Sequence, residues 1–112
     1  MAIHIIRDRA TPAQIADMMQ TLQTYIKLAV DVDREILAGG GEMHADCERA
    51  LLDDGSQQSR VWGADWNPAS NEVTYESLIN IRPSQNNRSM EIQDPQIRST
   101  VERITRNRLE QS

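Results

Sequence analysis

Three consecutive glycines lead into the segment whose side chains are best suited to chemistry. Gly39–Gly41 precede Glu42–Glu48, which holds the only cysteine, one of two histidines and three carboxylates. Metal binding, acid–base catalysis and thiol chemistry all use these residue types. Residues 42–53 are predicted to form a helix, because apolar side chains recur on one face and Gly55 is placed to end it.

His44 and Glu48 form the candidate metal or catalytic pair. They are four residues apart, so a helix presents them on one side, where two side chains can grip one ion. Asp46 lies on the other side of that helix, and a ligand such as Asp65 would have to complete the site. The simpler alternative is a hydrogen bond between His44 and Glu48 at the helix rim. We therefore expect no metal, and keep His44, Glu48 and Asp65 as catalytic candidates.

Neither the lone thiol nor the glycines require a catalytic explanation. Cys47 falls in the middle of the apolar helix face, where a single cysteine is usually a small buried residue. The glycines lack the lysine and hydroxyl residue of a phosphate-binding loop. They are better explained as a strand-to-helix joint that needs a positive φ angle.

A second group of polar residues surrounds the loop after residue 82. Asn80, Arg82, Asn87 and Arg88 are the predicted ligand-binding residues, because two guanidinium groups can fork a carboxylate or phosphate with help from the amides. Ordinary solvation of a loop with surface ion pairs is the alternative.

The charge distribution favours an anion in the same part of the chain. Residues 1–81 carry 13 acidic and 6 basic side chains, whereas residues 82–112 carry 4 acidic and 6 basic ones. The net charge of −5 argues against nucleic acid as a partner. One cysteine and no apolar run of about 20 residues predict a cytoplasmic protein without a membrane partner.

The 112 residues predict one α+β domain, residues 1–112. We expect a mainly antiparallel sheet of two hairpins plus an N-terminal strand, with about three helices packed on one face. For the first hairpin, an extension of the first helix is the alternative. The predicted strands are 2–7, 28–32, 36–38, 60–66 and 72–82, and the predicted helices are 11–26, 42–53 and 94–109.

Two tryptophans stand out in a chain with few aromatic residues. Alternation places Trp62 and Trp66 on one face of a strand, with Gly63 and Asp65 on the other. A core anchor is the favoured role and a recognition platform the alternative. Together with the long strand predicted for residues 72–82, they lead us to expect self-association into a homo-oligomer.

Four unusual strings occur in one order: Gly39–Glu48, Trp62–Trp66, Glu76–Pro83 and Asn87–Pro95. They resemble an uncharacterised family of small bacterial proteins, cyanobacterial ones among them, with a domain of unknown function. The resemblance spans roughly residues 25–105. It implies a bacterial, cytoplasmic protein and nothing about mechanism.

The function is not defined by these patterns, and whether the protein is an enzyme stays open. The leading hypothesis is a soluble, non-enzymatic binding or regulatory module with a polar site and no cofactor. One alternative is a metal-assisted hydrolase that uses His44 and Glu48. A further alternative is an anion-binding module centred on Arg82 and Arg88, whose ligand is a small anion.

Overall fold

The computed structural model describes residues 3–111, which form a five-stranded antiparallel sheet and three helices. The predicted α+β class is confirmed. The strand order across the sheet is β1-β3-β2-β4-β5. Residue 2 of the predicted first strand lies outside the described residues. The strands are β1 (His4–Ile6), β2 (Ile26–Asp31), β3 (Ile36–Gly39), β4 (Val61–Asn67) and β5 (Glu72–Thr74), and the helices are α1 (Pro12–Met19), α2 (His44–Asp53) and α3 (Pro95–Leu109).

The first hairpin forms as predicted, and the alternative of a longer first helix is not what the chain adopts. Strands β2 and β3 pair with Val30 opposite Leu37. The Asp31 carboxylate accepts hydrogen bonds from the backbone N–H groups of Asp33 at 2.9 Å and Arg34 at 3.0 Å. An aspartate that bonds backbone two and three residues ahead stabilises a turn, which ends β2 and returns the chain as β3.

The helix starts follow the predicted capping signals. The Thr11 hydroxyl accepts from the N–H of Gln14 at 3.1 Å, and the Gln14 side chain accepts from the N–H of Thr11 at 3.0 Å. Asp94 accepts from the N–H of Gln96 at 2.8 Å at the start of α3. Helix α1 is shorter than its apolar pattern predicts, because Gln23 adopts a φ of 70° and the chain turns into β2.

The helices cover both faces of the sheet, which differs from the prediction of one covered face. Helices α1 and α3 pack on the face that carries Trp62 and Trp66. Helix α2 packs on the opposite face through Cys47 and Leu51. The physical reason is that the central strand β2 is buried on both sides, so each side needs its own apolar layer.

The predicted strand 72–82 is interrupted. Strand β5 ends at Thr74, and residues 78–80 form a single tight helical turn beside β4. The Asn80 side chain occupies the place of a neighbouring strand: it accepts from the Gly63 N–H at 2.8 Å and donates to the Gly63 carbonyl at 3.0 Å. Ser77 packs on the bare Cα of Gly63, where an added Cβ would lie 2.6 Å from the Ser77 Cβ. An alternation of apolar and polar residues in the sequence does not show that a side-chain amide will take the place of a neighbouring strand's backbone in hydrogen bonding.

Asn87 organises the loop that follows. Its amide donates to the carbonyls of Asn80, Ser89 and Glu91 at 2.7 to 3.0 Å, and its side-chain oxygen accepts from the Gln93 N–H at 2.8 Å. Both asparagines are buried, so the loop has a fixed conformation built on two side-chain amides. No helix within residues 3–111 has the length and apolar character needed to cross a bilayer.

Replacing Asn80 with alanine tests this edge. Asn80→Ala leaves the Gly63 N–H and the Gly63 carbonyl without their partner, which we expect to lower the free energy of unfolding by about 3 kcal/mol. The Tyr75 and Met90 carbonyls keep the backbone N–H groups of Ile92 and Ser77. Urea unfolding followed by tryptophan fluorescence measures the change. Asn107→Ala, on the exposed side of α3, is the matched control and should stay within about 0.5 kcal/mol of the parent protein. Equal losses for the two variants would contradict the role given to Asn80.

Candidate functional site

His44 and Glu48 lie on one side of α2, as predicted, but they contact different partners. The His44 Nε2 lies 2.8 Å from the Asp65 Oδ1 and 3.1 Å from the Ala64 carbonyl oxygen. The Glu48 Oε2 lies 3.5 Å from the Arg82 Nη2. The structure therefore brings His44 to Asp65 and Glu48 to Arg82, rather than His44 and Glu48 to one point.

The contacts of His44 define its tautomer. A carbonyl oxygen only accepts, so the Nε2 beside Ala64 carries the proton and donates to the Asp65 carboxylate as well. The other carboxylate oxygen of Asp65 accepts from the Thr74 hydroxyl at 3.3 Å. Two acceptors on β4 therefore hold the imidazole in place.

The described part of the chain offers little to a metal ion. Within residues 3–111, histidine, cysteine, aspartate and glutamate side chains do not form a group of three or more that could hold one. Asp46 accepts from the Met43 N–H at 3.2 Å and serves the start of α2.

The prediction that Cys47 belongs to the core is confirmed. Its side chain is fully buried, and its Sγ lies 3.4 Å from the Lys27 carbonyl oxygen. Burial raises the pKa of the Cys47 thiol to about 11. The preceding glycines form the predicted strand-to-helix joint, in which Gly40 has a φ of 104°.

The charged side chain of Arg82 is buried. It is 9% exposed; its Nε donates to the Ile79 carbonyl at 3.0 Å, and its Nη2 donates to the Val61 carbonyl. The guanidinium carbon lies 4.6 Å from the centre of the Trp62 ring, a cation–π distance. The remaining nitrogen, Nη1, is buried without a hydrogen-bond partner among the described residues. Two backbone carbonyls and the Trp62 ring thus hold the guanidinium, and its Nη1 can still donate a hydrogen bond.

Arg82 and Glu48 line a cavity of about 560 Å³ between α2 and the segment 78–85. Burial raises the pKa of Glu48, and the adjacent guanidinium opposes that shift. Burial also lowers the pKa of Arg82, but an arginine side chain stays cationic at neutral pH. The cavity lining contains both polar and apolar residues. Its remaining lining residues are Gln58, Ser59, Leu78, Ile79, Ile81, Pro83, Ser84 and Gln85.

A second cavity, of about 290 Å³, shares Leu78 and Ile79 with the first. Its wall is mainly apolar. The large hydrophobic side chains exposed within residues 3–111 are Met43, Leu78, Ile81 and Met90, and each lines one of the two cavities. A concentration of exposed apolar groups at one place is typical of a binding surface. The other lining residues of the second cavity are Lys27, His44, Ala45, Glu76 and Ser77.

The four predicted ligand-binding residues separate in the structure. Arg82 lines the first cavity, whereas the amides of Asn80 and Asn87 are engaged by backbone groups. Arg88 is exposed and lines neither cavity. The ligand-binding role of these residues stays a prediction.

Sequence reasoning missed the apolar part of the site. Alternation in the predicted strand 72–82 places Ile79 and Ile81 on one face, but in the structure Ile81 is 44% exposed at the cavity. Gln58 and Ser59 also line the cavity, and nothing in their local sequence distinguishes them from other polar loop residues.

Comparison with protein families gives a match over most of the chain. The model of a family described as protein of unknown function, DUF5674, matches residues 4–108. The chain belongs to this family. The predicted resemblance to a family of unknown function is thereby confirmed. Neither a curated protein nor a solved structure matches the chain.

The buried thiol gives a direct test of α2. With a pKa of about 11, Cys47 is about one-thousandth thiolate at pH 8, whereas an unperturbed cysteine is about one-quarter thiolate. We expect an aromatic disulfide reagent to label the folded protein at least 100-fold more slowly than the same protein in guanidinium chloride. Similar labelling rates in the two conditions would contradict the inward orientation of the thiol.

Proposed function

We propose that the protein is a non-enzymatic binding module that holds a small anion at Arg82. The observation that carries the proposal is the buried Arg82 Nη1, which has no hydrogen-bond partner among the described residues and belongs to a side chain lining a cavity. A buried donor without an acceptor costs about 1–3 kcal/mol. An anionic oxygen at this nitrogen removes that cost and adds a charge-assisted hydrogen bond.

The fixed position of the guanidinium supports the proposal. The carbonyls of Val61 and Ile79 hold two of its nitrogens, and the Trp62 ring lies beside it. A cation fixed before binding loses little side-chain entropy when the anion arrives. The hydroxyls of Ser59 and Ser84 line the same cavity and supply donors for further oxygens of the anion.

The state of the candidate nucleophile and base supports binding over catalysis. The Cys47 thiol is buried and has a raised pKa, so it is a poor nucleophile. The His44 Nε2 donates to Asp65 and to a backbone carbonyl on β4. These side chains are therefore used in packing and in positioning α2.

Several finer sequence predictions accompany this function and stay predictions. They are bacterial origin, a cytoplasmic location, a single domain over residues 1–112, self-association, and a partner other than nucleic acid.

Sulfate titration at constant ionic strength tests the anion site. We expect saturable NMR shift changes at the Arg82 side-chain N–H and the backbone of segment 78–85. Arg82→Gln should abolish them, because it removes the cation, and Arg88→Gln, the matched control, should retain them. Arg82→Lys keeps the charge but loses the planar fork, and should bind at least tenfold more weakly. Unchanged binding in a folded Arg82 variant would overturn the proposal.

Glu48 provides a second test that leaves Arg82 in place. Its carboxylate repels an anion and contacts the same guanidinium, so Glu48→Gln should strengthen sulfate binding about tenfold at pH 7. Because the pKa of Glu48 is raised, its protonation begins above the ordinary glutamate range. Sulfate affinity of the parent protein should therefore rise as the pH falls from 7 to 5.

The variants separate Glu48 from the other titrating groups nearby. Affinity of the Glu48→Gln variant should change little with pH, whereas Glu42→Gln, an exposed acid before α2, should behave like the parent protein. If Glu48→Gln keeps the full pH dependence, the effect belongs to another group, such as the His44–Asp65 pair. If Glu48→Gln gains no affinity at pH 7, sulfate does not bind at Arg82.

A further inference from the structure

The apolar cavity beside the Arg82 site has no role in holding a simple anion. It is lined by Met43, Ile79 and Met90 and adjoins the first cavity along Leu78. Leu78 is 65% exposed, the highest value among the exposed large hydrophobic side chains. Methionine side chains adapt to ligands of irregular shape because they are unbranched and flexible.

The two cavities are arranged for a ligand with two ends. Arg82 supplies a cation in the first cavity, and the apolar residues Leu78 and Ile79 line both cavities. Even within the first cavity, the charged Arg82 side chain occurs together with the apolar residues Ile81 and Pro83. A polar anion without an apolar part would leave these surfaces in water.

On the basis of the proposed anion site, we propose that the ligand is an amphipathic monocarboxylate. Its carboxylate binds the Arg82 guanidinium, and its unbranched hydrocarbon chain crosses Leu78 into the cavity between Met43 and Met90. No covalent step is involved. The protein would then bind or carry a free aliphatic carboxylic acid.

Charges around the second cavity favour one carboxylate rather than two. Glu76 lines this cavity, and the Lys27 ammonium, also in its lining, donates to the Glu42 carbonyl at 3.0 Å. His44, also in this lining, has its Nε2 2.8 Å from the Asp65 carboxylate. A second carboxylate at the far end of the hydrocarbon chain would be desolvated against a mainly apolar wall and would meet Glu76.

A chain-length series tests the proposal. Acetate, butyrate, hexanoate and octanoate are titrated below their micellar concentrations at pH 7, with Kd measured by calorimetry and NMR. We expect about two- to fourfold tighter binding per methylene group until the second cavity is filled. Octanol, which lacks the charge, and octanedioate, which adds one, should bind at least tenfold more weakly than octanoate.

Substitutions in the second cavity locate the hydrocarbon chain. Leu78→Ser and Met90→Ser change exposed side chains, so the fold should persist, and each should reduce octanoate affinity about five- to tenfold. Met90 lines the second cavity and not the first, so Met90→Ser should leave sulfate affinity unchanged. Ala69→Ser, on the exposed turn between β4 and β5, is the control for a surface substitution and should affect neither ligand.

The outcomes distinguish this inference from the proposed function. If sulfate binds at Arg82 but acetate and octanoate have equal affinity, the amphipathic ligand is ruled out and the anion site remains. If the length dependence survives both serine substitutions, the hydrocarbon chain does not occupy the second cavity. If octanoate binds equally well to a folded Arg82→Gln variant, the carboxylate is not held by Arg82. If neither sulfate nor any carboxylate binds, the proposed function and this inference both fail.

Discussion

The site depends on how the outer edge of β4 is completed. Strand β5 pairs only with Asp65–Asn67, so the edge from Val61 to Gly63 needs other partners. Two side chains supply them: the Asn80 amide bonds the N–H and carbonyl of Gly63, and the Arg82 guanidinium bonds the Val61 carbonyl. Because buried backbone groups must be paired, these contacts fix the path of the chain from Ser77 to Arg82.

This path inverts the pattern expected for a strand. With the backbone turned through Leu78–Asn80, Ile81 points to the surface, while Asn80 and Arg82 are buried. The same turn that satisfies the edge thus exposes the apolar side chain of Ile81 and buries a cation. Residues of this turn line both cavities.

Much of the fold follows from local signals in the sequence. The Thr11 and Asp94 caps, the Asp31 turn and the inward Cys47 each depend on residues that are close in the chain. These signals are strong because each uses a specific side chain to satisfy backbone or to complete one apolar face. The packing of helices on both faces of the sheet was harder to predict from the sequence, although Ala29 between Leu28 and Val30 makes β2 apolar on both sides.

The site was only partly predictable, because its contacts join distant parts of the chain. Arg82 and Glu48 were both named from the sequence, but in separate hypotheses, and their positions are 34 residues apart. Asn80 was named as a ligand residue because an amide in a polar loop has the same sequence signal whether it bonds a ligand or a distant backbone. Gly63 is the sequence signal for this contact, because its bare Cα allows another segment to approach closely. That the approaching residue is Ser77 is determined only by the folded chain.

The energetics of the Glu48–Arg82 pair support a binding role over a stabilising one. Burial raises the pKa of Glu48 and lowers that of Arg82, so for each residue desolvation outweighs the attraction of its partner. A single contact at 3.5 Å is also long for a charge-assisted hydrogen bond, which is strongest at about 2.7–2.9 Å. The backbone carbonyls and the Trp62 ring hold the guanidinium without needing Glu48. A carboxylate that contributes little to holding its partner can be displaced by a ligand carboxylate, or protonated, at small cost to the fold. Arg82 is firmly held and Glu48 is loosely held. An anionic ligand can therefore replace Glu48 as the counterion of the guanidinium.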